Sequence, residues 1–194
     1  IHLITGVAWI GASFYFVMLD MSLRKAAKKA DQQRGVSGEL WAVHGGGVYQ
    51  SQKFLSGPIG EPLSDKLHWS KWEAYSTWLS GMGLLIIIYW FGARTYLIDQ
   101  NVLQLSVAQA ISVSALVIAI SWLIYDLLCR FLGSNENLLA ALIFIYILLC
   151  DWILFQVFSA RAAYIHVGAI MGSIMVANVF FHIIPGQKKM VQEI

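Results

Sequence analysis

Long apolar stretches alternate with short polar segments along most of the chain, and this pattern predicts membrane-spanning helices. A helix needs about 20 mainly apolar residues to cross the hydrocarbon core of a bilayer. Five stretches are close to this length, at about residues 1–19, 75–98, 105–128, 138–158 and 162–184. We therefore predict an all-α fold, a single integral membrane helical bundle with about five transmembrane helices.

One long polar region, residues 20–73, separates the first two predicted spans and carries most of the charged residues. The other connections are short, such as residues 99–104 and 130–137. Short connections are usual between antiparallel neighbours in a helical bundle. Residues 20–73 are therefore the part of the chain that can present polar chemistry to water.

The basic residues fall mainly on one side of the five-span model. Of the 13 Lys and Arg, only Arg94 and Arg161 lie on the other side. Because short cytoplasmic loops of membrane proteins are enriched in Lys and Arg, we expect the loop of residues 20–73 to be cytoplasmic. The N-terminus is then expected outside the cell.

The composition supports a membrane protein and argues against several other classes. Apolar residues make up 58% of the chain and charged residues 12%, against about 45–50% and 25% in a typical soluble domain. The net charge of +2 gives no reason to expect nucleic-acid binding. Cys129 and Cys150 each stand alone in an apolar segment, so we expect neither a disulfide framework nor a zinc cluster. Since the sequence begins at Ile1 inside an apolar run, we expect a piece of a longer protein.

The histidines in the apolar segments are the most informative polar residues. Imidazole inside lipid is costly unless haem iron, a metal, a proton path or a polar neighbour satisfies it. The five-span model puts His2 and His166 on the outer side, where we predict that they ligate the iron of one haem b. His182 follows His166 by 16 residues, about 24 Å of helix, and thus lies near His68 on the inner side. A second haem b between His68 and His182 is one interpretation, and interfacial residues with polar tips in the headgroups are the other.

Two carboxylates and a glycine pair lie near the predicted haem positions. Asp151 in the fourth span and Asp126 in the third could exchange protons or accept a hydrogen bond from a ligating histidine. A polar contact to a neighbouring helix is the alternative for both. Gly168 and Gly172 form a GxxxG pair beside His166, which makes room for a porphyrin or simply allows close helix packing.

The polar region contains the motif GELWAVHGGGVYQSQKF, residues 38–54, in which three glycines follow His44. Glycines let backbone amides approach a planar or anionic ligand closely. Aromatic, amide and basic side chains surround the motif: Trp41, Tyr49, Gln50, Gln52 and Lys53. We predict that this loop binds a flat anionic heterocycle, with His44 and Lys53 as the catalytic residues. A loop that folds against the membrane surface through its aromatic residues is the alternative.

Four segments together resemble a known family: HLITGVAWIGASFYFVMLD, GELWAVHGGGVYQSQKF, HWSKWEAYSTWLSG and HVGAIMGSIMVANVFFHIIPGQKK. In this order they look like the membrane-embedded N-terminal region of the bacterial membrane-bound urate oxidase (urate hydroxylase) family. The resemblance implies a multi-pass protein of the bacterial inner membrane that acts in purine catabolism. It also implies oxidation of urate towards 5-hydroxyisourate, with electrons passing to a c-type cytochrome or a fused C-terminal cytochrome c domain.

Two other functions remain open from the sequence. The opening segment HLITGVAWIGASFYF is also similar to the first helix of small haem-binding membrane families, in which a histidine at this place ligates haem b. A non-catalytic haem-bearing or structural subunit of a larger electron-transfer complex is therefore one alternative. A transporter with Asp126 and Asp151 as coupling groups is another, although no broken span or inverted repeat supports it.

Overall fold

Residues Ile1–Ile194 are all described in the computed structural model, which is mostly helical. The elements follow in the order α1 (His2–Ser22), α2 (Lys29–Gln33), β1 (Val36–His44), β2 (Gly47–Phe54), α3 (Trp72–Leu84), the π-helix π1 (Leu85–Trp90), α4 (Ala93–Tyr96), α5 (Val107–Leu132), α6 (Glu136–Phe155), α7 (Ala160–Asn178), the π-helix π2 (Val179–Ile183) and α8 (Ile184–Gln192). The all-α prediction is therefore wrong for the polar region, which contains a two-stranded antiparallel sheet.

Four helical stretches are long and apolar enough to cross a membrane: His2–Ser22, Val107–Leu132, Glu136–Phe155 and Ala160–Gln192. These helices indicate a membrane protein. The second predicted span, residues 75–98, is not among the four because it consists of three shorter pieces, α3, π1 and α4. The helical hydrogen-bonding pattern changes at Leu85 and again at Gly92, so no single piece reaches the length of a span.

The main core lies between α5, α6, α7 and the composite helix of α3, π1 and α4. Its completely covered side chains include Leu97, Leu154, Phe158 and Ile170. Ala162 also has no exposed surface, since small residues let helix backbones approach closely. Helix α7 contacts α3, α5 and α6, so it is the central helix of the bundle.

Helix α1 packs along α3 in an antiparallel, offset manner. The ring of His2 lies against Gly81, Gly6 lies beside Thr77, and Trp9 packs in the cluster around Ala74. The second half of α1 therefore extends past the start of α3, and no residue of α1 is buried. Gly81, the neighbour of His2, lies about 14 Å along the helix axis from Trp72, where α3 begins, at 1.5 Å per residue. His2 is exposed on the side of the bundle. It lies beside Gly81 and not at the outer end, where the five-span model placed it.

The sheet is a β-hairpin whose turn is formed by Gly45 and Gly46. Their φ angles are 56° and 80°, and a two-residue hairpin turn of this kind needs positive φ at both central positions. His44 pairs with Gly47 at the end of the ladder. The buried Glu39 accepts a hydrogen bond of 3.0 Å from the Ala27 amide, which fixes the hairpin to the segment after α1. It also accepts one of 2.8 Å from the Gln50 side chain on the other strand.

Candidate functional site

A cavity of about 430 Å³ lies between α1, α3 and α7, and His2 forms part of its wall. The Nδ1 atom of His2 is 3.0 Å from the Thr77 carbonyl oxygen and 3.2 Å from Ser80 Oγ. A proton on Nδ1 donates to the Thr77 carbonyl, which leaves the lone pair on Nε2 free. Histidines that ligate metals are held in this way, with one nitrogen bonded to the protein and the other available.

The opposite wall of this cavity contains the glycine pair of α7. A Cβ atom built on Gly168 or on Gly172 would meet no heavy atom within 4 Å. Neither glycine is therefore needed for direct helix contact at that point. The other walls are mostly apolar and include Trp9 and Trp78. The space suits a flat, largely apolar molecule. His2 can supply one coordinating nitrogen to it.

His166 occupies a different environment, completely buried among α5, α7 and π1. Its Nε2 is 2.6 Å from Ser114 Oγ, and its Nδ1 is 2.7 Å from the Ala162 carbonyl oxygen. Ser114 Oγ in turn accepts a hydrogen bond of 2.9 Å from the Trp90 indole. The ring of Phe158 covers the imidazole at a centroid distance of 4.9 Å. Both nitrogens of His166 are satisfied within the protein.

The predicted pairing of His2 with His166 on one haem is not formed. His166 lies beside Tyr89, whereas His2 lies beside Gly81, eight residues and so about 12 Å away along the helix. The face of α7 that lines the cavity carries Gly168 and Gly172, and His166 points instead to α5. The offset of α1 along α3 and the rotation of α7 about its axis together separate the two imidazoles.

His182 and Asp126 are brought together, at the end of the bundle where α1 finishes and α3 begins. We call this the hairpin end. His182 Nε2 is 2.8 Å from Asp126 Oδ1, and Arg130 Nη2 is 2.7 Å from Asp126 Oδ2. The Asp126 side chain is only 10% exposed, so the two basic groups compensate a largely buried carboxylate. The three residues form a polar cluster that links α5 to π2.

His68 and Asp151 do not join the other predicted site residues. The His68 side chain is 81% exposed, and its Nε2 is 3.9 Å from Glu73 Oε1. His68 therefore does not form a second haem site with His182, which hydrogen-bonds to Asp126. Asp151 is half-buried on α6 and forms no hydrogen bond to His166.

His44 and Lys53, the predicted catalytic pair, lie far apart on the hairpin. Lys53 pairs with Gly38, six residues before His44 in β1, a separation of about 20 Å along a strand. The Lys53 ammonium is 2.7 Å from Asp20 Oδ1, so it ties β2 to the end of α1. Tyr49 lies on the same face of the hairpin as His44, and its ring covers Gly47. An exposed imidazole and an exposed aromatic ring thus share one face near the turn.

The sequence interpretation did not identify Ser114 and Trp90 as the polar partners of His166. A signal was present, because Ser114 and Ser121 are seven residues apart in a mostly apolar helix. This spacing places both on one face. Ser121 is also buried and accepts a hydrogen bond of 2.8 Å from Tyr146.

A family model described as urate oxidase N-terminal matches residues 1–194, which is the whole chain. The chain belongs to this family. Searches among curated proteins and among solved structures gave no match. Membership in the urate oxidase N-terminal family confirms the resemblance seen in the sequence and gives the chain a role related to urate. Both the cavity beside His2 and the hairpin lie within the matched region.

Proposed function

We propose that this chain is the membrane part of an oxidoreductase that oxidises urate towards 5-hydroxyisourate and passes the electrons to a c-type cytochrome or a fused cytochrome c domain. The observation that carries the proposal is the family match over residues 1–194. The conversion removes two electrons and two protons, and water supplies the added oxygen. The electrons therefore need a carrier.

We propose that the cavity beside His2 binds a haem b. His2 Nε2 would hold the iron, because its Nδ1 is already engaged by Thr77 and Ser80. Gly168 and Gly172 leave the space that a flat macrocycle needs. When bound, haem b supplies a one-electron carrier inside the membrane part. A single haem is proposed, since His166, His182 and His68 do not meet at this cavity.

The haem proposal is tested on the purified full-length protein by a pyridine haemochrome assay and a reduced-minus-oxidised spectrum. His2→Ala is expected to lower the haem b content at least about tenfold, because a single protein ligand is lost. The matched control is His68→Ala, which removes an exposed imidazole and should keep the full content. A His2→Ala protein with the haem b spectrum of the parent would refute the assignment.

Urate is proposed to contact the face of the hairpin that carries His44 and Tyr49. A planar, ionisable heterocycle can stack on the phenol ring while the imidazole removes a proton from it. Both side chains are exposed and lie on one face of the two-stranded sheet. Lys53 is not part of this site because Asp20 holds its ammonium.

Urate consumption by membranes that contain the variants tests the hairpin proposal. His44→Ala is expected to slow turnover about 100-fold, the usual size of a general acid–base contribution. Val43→Ala alters the opposite face of the hairpin and should leave turnover unchanged. Parent-like turnover by His44→Ala would remove His44 from the mechanism.

A further inference from the structure

A second cavity, of about 750 Å³, lies between α3, α5 and the α7–π2 helix. We call it the aromatic cavity, because seven of its lining side chains are aromatic: Trp72, Tyr75, Trp78, Trp90, Trp122, Phe180 and Phe181. Trp122 and Phe181 are stacked, with ring centroids 4.8 Å apart and planes 28° from parallel. Aromatic faces at this density favour a planar ring as the ligand.

One polar group in the wall of the aromatic cavity has no partner. The indole Nε1 of Trp122 is buried and forms no hydrogen bond. Leaving such a donor unsatisfied costs about 1–3 kcal/mol. Because Nε1 itself has no accessible surface, a ligand carbonyl oxygen becomes its acceptor only when the indole turns towards the cavity. The polar cluster is adjacent, since Asp126 lies one turn after Trp122 and His182 follows Phe181. Neither Asp126 nor His182 lines the cavity, however, and Ser173 is the one polar side chain in its wall.

The mouth of the aromatic cavity is formed by apolar side chains on the outer surface of the bundle. Leu79, Leu123 and Phe180 line the cavity and are 60%, 51% and 56% exposed. In a membrane protein such a surface faces lipid. A ligand that enters here must therefore dissolve in the bilayer, and an apolar tail can remain in the opening.

We propose that the aromatic cavity binds a quinone, a planar ring with two carbonyl oxygens and an apolar tail. The ring matches the aromatic walls, a carbonyl matches the Trp122 donor, and the tail matches the lipid-facing mouth. A phospholipid acyl chain would match the apolar walls alone. The quinone site requires no haem at His2 and goes beyond the proposed function.

The aromatic cavity and the cavity beside His2 share a wall. Trp78 and Ser173 line both, and the Trp78 indole donates a hydrogen bond of 2.9 Å to Ser173 Oγ. Met82 and Val176 also line both cavities. A ring in the aromatic cavity is thus one layer of side chains away from the cavity that the proposed function assigns to the electron carrier.

Binding of decylubiquinone to the full-length protein in lipid nanodiscs tests the site, with quenching of tryptophan fluorescence as the readout. Ala119→Phe and Ala177→Phe each add a ring to a residue of the cavity wall. Each is expected to weaken binding at least about tenfold, since the added ring occupies ligand space. Ala141→Phe adds the same ring at an exposed position of α6 and should bind like the parent protein.

Trp122→Phe tests the polar contact, because it keeps an aromatic ring and removes the Nε1 donor. We expect about 3- to 10-fold weaker binding, the usual effect of one lost hydrogen bond. His2→Ala should keep the parent affinity, so failure of the haem proposal and failure of the quinone site are distinguishable. Equal quenching in the parent and in both cavity-filling variants would overturn the proposal. So would a phospholipid in the cavity that decylubiquinone does not displace.

Discussion

His2 and His166 are both histidines in apolar helices, yet their surroundings give them different properties. His166 is completely buried, and each of its nitrogens has a partner within the protein. His2 is exposed to a cavity, and only its Nδ1 is engaged. The comparison shows that a costly polar residue in an apolar helix can be a structural element or a free ligand. Its hydrogen-bond partners distinguish the two.

The largest expected effect is on stability, from His166→Leu. The substitution leaves the buried Ser114 hydroxyl without its imidazole partner and weakens the link to Trp90. We expect a loss of about 2–4 kcal/mol in the free energy of unfolding, measured by denaturant titration in detergent. His2→Leu is the control and should cost much less. If His166→Leu instead unfolds like the parent and loses haem, the comparison between the two histidines is reversed.

Filling the cavity beside His2 should have the next largest effect. Gly172→Leu places a side chain in open space, so the fold should persist while the haem content falls about tenfold, equivalent to about 1.4 kcal/mol. The haemochrome assay measures the loss. Gly83→Leu also meets no neighbour at its Cβ and does not line the cavity. Equal haem content in the two variants would show that the glycine wall does not contact the ligand.

His182 differs from both His2 and His166, because its hydrogen-bond partner is a carboxylate, that of Asp126. Asp126→Asn removes the charge that holds His182 and Arg130. We expect a loss of about 1 kcal/mol in unfolding free energy, since both basic partners are substantially exposed. Asp151→Asn serves as the control and should change little. An equal loss from both variants would mean that Asp126 has no special role at the hairpin end.

The smallest expected effect comes from the second partner of His2. Ser80→Ala leaves the Thr77 carbonyl as the acceptor for Nδ1, at 3.0 Å. We expect less than about 0.5 kcal/mol change in stability and an unchanged haem b spectrum. A spectrum altered as in His2→Ala would show that Ser80, and not Thr77, orients the imidazole.

Apolar length alone predicted most of the helices well. The fourth span, expected at residues 138–158, is α6 at Glu136–Phe155. The hairpin was missed because the glycines after His44 were interpreted as a ligand-binding loop. The glycine run was the available signal, since Gly45 and Gly46 adopt the positive φ angles that a two-residue hairpin turn requires.

The candidate site was only partly predictable, because it depends on directions and offsets between helices. Side chains two residues apart in a helix point about 200° apart, in nearly opposite directions, so Gly168 faces the cavity whereas His166 faces α5. The packing of α1 against α3 decides which residue of α1 lies beside Gly81. The apolar surfaces of these two helices would fit together at several positions along the helix axis. The sequence therefore identified His2 as a candidate ligand but paired it with His166, which the structure places in another environment.

The depth of His2 along α3 has an electrical consequence. The composite helix runs from Trp72 to Tyr96, about 36 Å at 1.5 Å per residue, and His2 lies beside Gly81, somewhat over a third of the way from the hairpin end. If the composite helix crosses an energised membrane, a charge that moves between that end and His2 crosses about the same share of the potential. This amounts to roughly 0.9 kcal/mol for each elementary charge per 100 mV. Electron transfer to a carrier at His2 should therefore respond to the membrane voltage.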